Sequence, residues 1–203
     1  MADFNAKSKA AYNEKADNYD NTHDGRFTRR FKQLLVSEAE LCENTTVLDV
    51  ACGNGSLLAA LNNKTPIIGF GIDIADRMIK NAAANNPDMT FRVSGCESIP
   101  FGECSMDVIT VCAAYHHFPD TQAFAKEAKR VLRPSGAIYI ADVYLPSVPR
   151  FVINPFVPLS RAGDVRFYSP KEIAGNFEQY GFETVETKVV GHVQIVVAKK
   201  ATV

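Results

Sequence analysis

The sequence predicts an α/β fold: a mostly parallel sheet of seven strands with helices on both faces and an antiparallel hairpin at its C-terminal edge. Three observations predict it. From residue 46 onward, short β-rich apolar runs alternate with segments of helical periodicity, the pattern of a parallel sheet covered by helices. The last two β-rich runs meet at Gly191 and read as a hairpin. A chain of 203 residues, 46% hydrophobic and 22% charged, has the size and composition of one folded domain.

Each element follows in chain order. Phe4, Tyr12 and Tyr19 are scattered among charges, too little apolar content for a core, so residues 1–44 begin as a loose arm or a lid. Phe27, Phe31, Leu34 and Leu35 then recur on one helix face. TVLDVA, IIGFGID, MTFRV and MDVITVCAA read as strands, with SLLAALNN and ADRMIKNAAANN as helices between them. A helix from about Thr121 to Leu132, closed by Arg133, Pro134, Ser135 and Gly136, leads into the strand AIYIADV. In the segment 144–168, Pro146, Pro149, Pro155 and Pro158 forbid a long helix or an inner strand while the apolar residues remain, which reads as a cap over a pocket. Ser169, Pro170 and Glu172 make a helix start with N-cap, first-turn proline and capping-box acid, and Gly181 ends that helix. FETVETKVV and HVQIVVAK form the hairpin.

Composition excludes several partners. Lys and Arg number 22 against 23 Asp and Glu, a net charge of -1, without the basic excess that binds phosphate backbones, so no nucleic-acid partner is expected. No run approaches the roughly 20 apolar residues that span a bilayer, and the N-terminus lacks a signal-peptide core. The expectation is a cytoplasmic protein without stable membrane insertion, a monomer or homodimer. Five cysteines without a C-x-x-C pair suit reduced, mostly buried thiols.

The most informative stretch is VLDVACGNG, Val47 to Gly55, where an apolar strand runs into a Gly-x-Gly turn and a helix near Ser56. Glycines there let backbone N–H groups approach a ligand at the carboxyl ends of the strands. Asp73 ends the next strand about 20 residues on, where an acid accepts both hydroxyls of a ribose. The third glycine of a dinucleotide fingerprint is replaced by Leu58, which disfavours an NAD-dependent oxidoreductase. A nucleoside without phosphates fits better, and that points to S-adenosylmethionine.

These motifs resemble those of the class I S-adenosylmethionine-dependent methyltransferases, in the branch of the menaquinone and ubiquinone C-methyltransferases. VLDVACGNG is similar to the family's first motif, GIDIADRMIKNA to its acidic loop, SIPFGECSMDVITVCAAYHHFPD to its third and fourth strand region, and EAKRVLRPSGAIYIADV to the strand that follows. The resemblance implies one Rossmann-like domain over residues 1–203 that moves a methyl group from S-adenosylmethionine to a small acceptor at carbon, oxygen or nitrogen, leaving S-adenosylhomocysteine. The other reading is a protein that binds the adenosyl cofactor without turnover. By resemblance, Asp49, Ala51, Gly53 and Gly55 hold the methionine end, Asp73 the ribose, and Ile74 and Met78 the adenine. Tyr19 closes over the cofactor from the arm, while Cys96, Glu97 and Cys112 complete its surroundings. The family's Gly-Asp-Ala-Glu run is Ser94, Gly95, Cys96 and Glu97 here, so Gly95 stands where an aspartate usually takes the adenine amino group. Loss of one such hydrogen bond costs about 1 kcal/mol.

Tyr115, His116 and His117 follow a strand end, beside the transferred methyl if the resemblance holds, and are the candidates for general-base work or a pocket wall. Adjacent histidines rarely face one ion, and no acid or cysteine sits at ligand spacing, so no metal is expected. Asp107 is read as structural and Arg26, Arg29 and Arg30 as a solvated helix face. Arg150, Arg161 and Arg166 in the cap are candidates to receive an anionic substrate.

Overall fold

The β-rich runs all form strands in the computed structural model, which describes residues 4–201. They are β1 (Thr45–Val50), β2 (Ile67–Asp73), β3 (Thr90–Val93), β4 (Met106–Cys112), β5 (Leu132–Val143), β6 (Phe182–Val190) and β7 (Val193–Lys200). The sheet order is β3-β2-β1-β4-β5-β7-β6. Strands β1 to β5 pair in parallel, while β7 lies antiparallel to both β5 and β6. The hairpin therefore reaches the edge by inserting its second strand first. A tight turn at Gly191, with φ +64°, lets β7 bury completely at Val193, Ile195 and Ala198 while β6 keeps a mostly exposed face.

The order reverses between β1 and β4. Chain leaving β1 crosses to β2 on one side, and chain leaving β3 returns to β4 on the other, so a crevice opens at the carboxyl ends of β1 and β4, where ligands of such sheets bind.

Among the described residues, seven α-helices accompany the sheet: α1 (Phe4–Lys15), α2 (His23–Glu38), α3 (Ser56–Lys64), α4 (Asp76–Asn85), α5 (Thr121–Val131), α6 (Ser147–Ile153) and α7 (Pro170–Glu178). Besides a small cluster of Ala16, Ala75 and Met78, the core has two large ones. One holds Phe124, Ile140, Phe177 and Tyr115; the other holds Phe31, Leu35, Leu58 and Leu61. The expected α2 face is present, with Phe31 and Leu35 fully buried and Phe27 left at its rim. Helix α5 stops at Val131, one residue short of its expected end, because Leu132 already pairs with Met106. The Arg133–Gly136 stretch is absorbed into β5, across a register shift between Met106 and Val108. Helix α7 begins with the expected capping box, Ser169 with Glu172. Asp107 accepts from the Thr46 N–H at 2.9 Å and pairs with Arg133 at 2.6 Å, a structural role.

The arm and the cap differ from the sheet layers. Helix α1 buries only Ser8, and the segment 147–159 forms one short helix and a 3-10 turn whose Val148, Phe151, Phe156 and Leu159 all face outward. The two meet each other. Ser8 donates to the Ala162 carbonyl at 2.8 Å, and Gly163, with φ +78°, lies so near α1 that a Cβ there would stand 2.7 Å from the Phe4 carbonyl oxygen. Among the described residues no helix is long and apolar enough to cross a membrane.

Candidate functional site

A cleft of about 840 Å³, counted out to its mouth, occupies the crevice. Its floor is Val50, Ala51, Cys52, Gly53 and Asn54 after β1, its sides are Asp73, Ile74 and Met78 after β2 and Ser94 and Cys96 after β3, and its far wall is Cys112, Ala113, Ala114 and His117 after β4. Tyr12 and Tyr19 come in from the arm, and Lys32 from α2.

Local backbone geometry explains the floor. Ala51 and Ala113 both adopt left-handed φ, +60° and +53°, at the ends of neighbouring strands. Such conformations are strained for residues with a Cβ and concentrate at functional sites. Gly53, at φ +52°, has nothing within 4 Å of where a Cβ would stand, so the open space above it is available to a ligand. Asp73 is held from below: Gly53 donates its N–H to Oδ2 at 2.9 Å and Ala75 to Oδ1 at 2.8 Å. Burial raises the Asp73 carboxyl above its ordinary value against these bonds. Each oxygen keeps a lone pair for further donors.

The expected site residues divide. Tyr19, Ala51, Gly53, Asp73, Ile74, Met78, Cys96, Cys112 and His117 all line the cleft. Asp49 does not. Its side chain is sealed beneath the floor, where Thr110 donates to Oδ1 at 2.7 Å and burial pushes the carboxyl up to about 7. Gly55 is likewise outside the lining; a Cβ there would strike the Asn86 side chain at 2.7 Å, so this glycine serves the packing of α3 on α4. Gly95 and Glu97 adjoin the wall made by Ser94 and Cys96 without lining the cleft themselves. The Glu97 carboxylate lies 2.7 Å from where a Cβ on Gly95 would be, so it occupies the space that an aspartate at 95 would fill.

Tyr115 is a correction. It is fully buried, packed on Phe124, Phe177 and Tyr168, and its hydroxyl accepts from Asn176 at 2.9 Å; its side chain points into the α5–α7 core rather than to the cleft. Two of the three cap arginines are also engaged. Arg166 pairs with Glu172 at 2.7 Å and Arg150 with the same carboxylate at 3.7 Å.

The histidine pair has acidic partners that spacing along the chain does not reveal. Asp142, at the end of β5, sits 2.6 Å from His116 Nδ1. Asp164, in the cap, has Oδ1 at 3.1 Å from His117 Nδ1 and 3.6 Å from His116 Nε2. The loop that carries it is pinned to the histidines by the Val165 N–H, which donates to the His116 carbonyl at 2.8 Å. On the cleft side the Tyr12 hydroxyl lies 3.0 Å from His117 Nε2. The sequence argument against a metal, that no acid stands near the histidines, is overturned by this geometry. Burial works against the charge on His116, but the Asp142 carboxylate outweighs it and raises the ring above its ordinary value. Burial, then the charge of His116, pushes His117 down to about 4, with Asp164 and the Gly163 backbone opposing. Asp142 and Asp164, which close on the histidines, and Lys32, in the cleft lining, were beyond the reach of local motifs.

Comparison with known proteins matches this geometry. A family described as a methyltransferase domain matches residues 48–140. The demethylmenaquinone methyltransferase of Thermotoga maritima is 28% identical, over 79% of this chain and 78% of its own. The ubiquinone/menaquinone biosynthesis C-methyltransferase of Geotalea daltonii is 32% identical over 62% of this chain, and the match spans only 55% of that relative's length. Among solved structures, a SAM-dependent methyltransferase from Aquifex aeolicus shares the fold with TM-score 0.73 at 21% identity, covering 93% of this chain and 98% of its own.

Proposed function

We propose that this chain is a class I S-adenosylmethionine-dependent methyltransferase and transfers a methyl group from that cofactor to a small quinone-type acceptor. The observation that carries the reading is the cleft itself: an unobstructed glycine at 53, a buried carboxylate at 73 and an apolar slot beside Ile74 and Met78, all converging at the switch point of the sheet. These residues fit an adenosyl group. When bound, S-adenosylmethionine supplies a methyl already activated on a sulfonium.

Asp73 then accepts from the ribose hydroxyls while its two backbone bonds keep the carboxylate aimed. Ile74 and Met78 flank the adenine, and the Cys96 N–H faces its edge. Glu97 supplies the acceptor that Gly95 lacks, since its carboxylate fills the corresponding space. At the other end, Ala113, Ala114, His117 and Phe118 form the wall against which the acceptor is aligned, and Tyr12 and Tyr19 exclude water from above. His117 is the wall residue that faces the acceptor; His116 and Asp142 position it from behind. The quinone-type acceptor is supported by the activities for which the relatives are named.

Calorimetric titration with S-adenosylhomocysteine and NAD tests the cofactor, and tritium transfer to a panel of hydroquinones tests the acceptor. S-adenosylhomocysteine is expected to bind and NAD not. Asp73→Ala should weaken binding roughly 30-fold or more, as expected for losing charge-assisted bonds, and Glu97→Gln about 5-fold. Equal binding of NAD would defeat the cofactor assignment. Tight adenosyl binding without transfer to any hydroquinone would defeat the acceptor assignment alone.

A further inference from the structure

We propose that His116 Nε2, His117 Nδ1 and Asp164 Oδ1 form a binding site for one divalent transition-metal ion of the zinc or cobalt kind, at the acceptor end of the cleft. One ligand atom from each of these residues lies within 4.8 Å of the others. Their separations from Asp164 Oδ1 are 3.1 and 3.6 Å. Nitrogen and oxygen ligands at about 2.0–2.1 Å from a tetrahedral zinc stand ~3.3 Å apart, so the three atoms already span one face of such a site.

The outer nitrogens complete the argument. His116 presents Nδ1 to the Asp142 carboxylate at 2.6 Å, and His117 presents Nε2 to the Tyr12 hydroxyl at 3.0 Å. When each outer nitrogen carries the proton, both inner nitrogens keep a lone pair free, with Asp164 Oδ1 3.1 and 3.6 Å away. A metal-ligating histidine commonly has its second nitrogen held in this way by a carboxylate or another acceptor, which fixes the tautomer and the ring. His117 Nδ1 is buried and has no hydrogen-bond partner, although a carboxylate oxygen is 3.1 Å away. An unprotonated nitrogen and a carboxylate oxygen held this close repel one another unless a cation relieves them. Burial of the pair, each side chain about one-tenth exposed, prevents water from relieving this, while the more exposed Asp164 leaves a route of entry. Two imidazoles select a transition ion over magnesium, which takes oxygen ligands.

Three protein ligands leave a position open, and His117 places it beside the cleft. With an ion held there, an acceptor hydroxyl in that position would be polarised, its proton leaving to water on the more exposed Asp164 side and the charge left on its oxygen being offset by the ion. This role rests on the methyl-transfer reading; the metal site does not.

Chelator-stripped protein titrated with Co(II), followed by its visible d–d absorption, and with Zn(II) in competition, is the test. The expected result is one saturable equivalent, no competition by Mg(II), at least 10-fold weaker binding in Asp164→Ala and in His117→Ala, and 10-fold to 100-fold weaker binding in Asp142→Asn. A variant with Cys42→Ser and Cys104→Ser, the exposed thiols, should bind as the parent does. Equal Co(II) affinity in the parent and in folded Asp164→Ala, or loss of binding with the two thiols, would overturn the proposal. If Asp164→Ala does not fold, the NMR spectrum of the Co(II)-loaded parent decides, since absence of paramagnetically shifted histidine ring protons overturns it equally. S-adenosylhomocysteine binding, read on the same samples, reports on the cofactor assignment separately.

Discussion

The floor and the roof of the cleft are built by different physics. The floor is the set of strand ends β1, β2 and β4, each anchored in a sheet whose inner strands fully bury side chains such as Leu48, Ile72 and Ile109. The roof, α1 and the segment 144–168, buries few apolar groups and turns Phe151, Phe156 and Leu159 outward. It is held instead by a handful of polar contacts: Ser8 to Ala162, Tyr12 to His117, and Val165 to His116. Apolar burial stabilises by area and acts over many residues at once, whereas isolated polar contacts contribute about 1 kcal/mol each. The roof is therefore the part whose stability sits below that of the whole, as the moving parts of binding sites must.

The sharpest way to break this contrast is a cavity under the floor. Phe124, fully buried between Tyr115, Phe118 and Phe177, should lose about 3–5 kcal/mol of global stability on substitution by alanine, read from urea unfolding. Gly163→Ala strikes the roof instead. Its positive φ and the 2.7 Å approach to the Phe4 carbonyl should shift the arm-to-cap contact by about 1–3 kcal/mol, so that proteolysis near residues 16–22 accelerates while the urea midpoint barely moves. A parallel fall in the midpoint would show that roof and floor unfold together.

Asp49 gives a smaller effect with a defined sign. Its folded carboxyl is pushed up to about 7, from the 3.8 of a free group, so the folded chain binds the extra proton between those values. The group's contribution is fully present below the unfolded value and is lost as pH rises through the folded one. Stability should fall by about 1.4 kcal/mol between pH 6 and pH 8 on this account, and Asp49→Asn should remove that slope. A slope unchanged in Asp49→Asn would contradict the burial argument. The smallest effect is expected on the outer face of the roof. Phe151, 82% exposed, should change stability by no more than about 0.5 kcal/mol when replaced by serine, which equilibrium unfolding would detect only as coincident curves.

The floor was readable in the chain because its signals are local. The turn at Gly53, the acid at Asp73 and the apolar pair at Ile74 and Met78 follow directly on their strands, and a strand end in a parallel sheet has one place to go. Where the local reading went astray, a distant neighbour intervened. Asp49 looked like a floor residue, yet Thr110 of β4 draws it under the sheet. Gly55 looked like a ligand-facing glycine, yet Asn86 fills its space. Tyr115 shares a short turn with two histidines and points the opposite way, because α7 offers it Asn176 and an aromatic pocket.

The sequence by itself determined the sheet, the position of its crevice and the carboxylate at Asp73, since apolar periodicity and glycine placement act between residues close along the chain. Only the tertiary structure decided that Asp142 and Asp164 meet the histidines. These acids lie 26 and 48 residues beyond His116, on a neighbouring strand and in a cap with no periodic signal, and nothing but the folding of β5 beside β4 and of the cap over both brings the four side chains within reach.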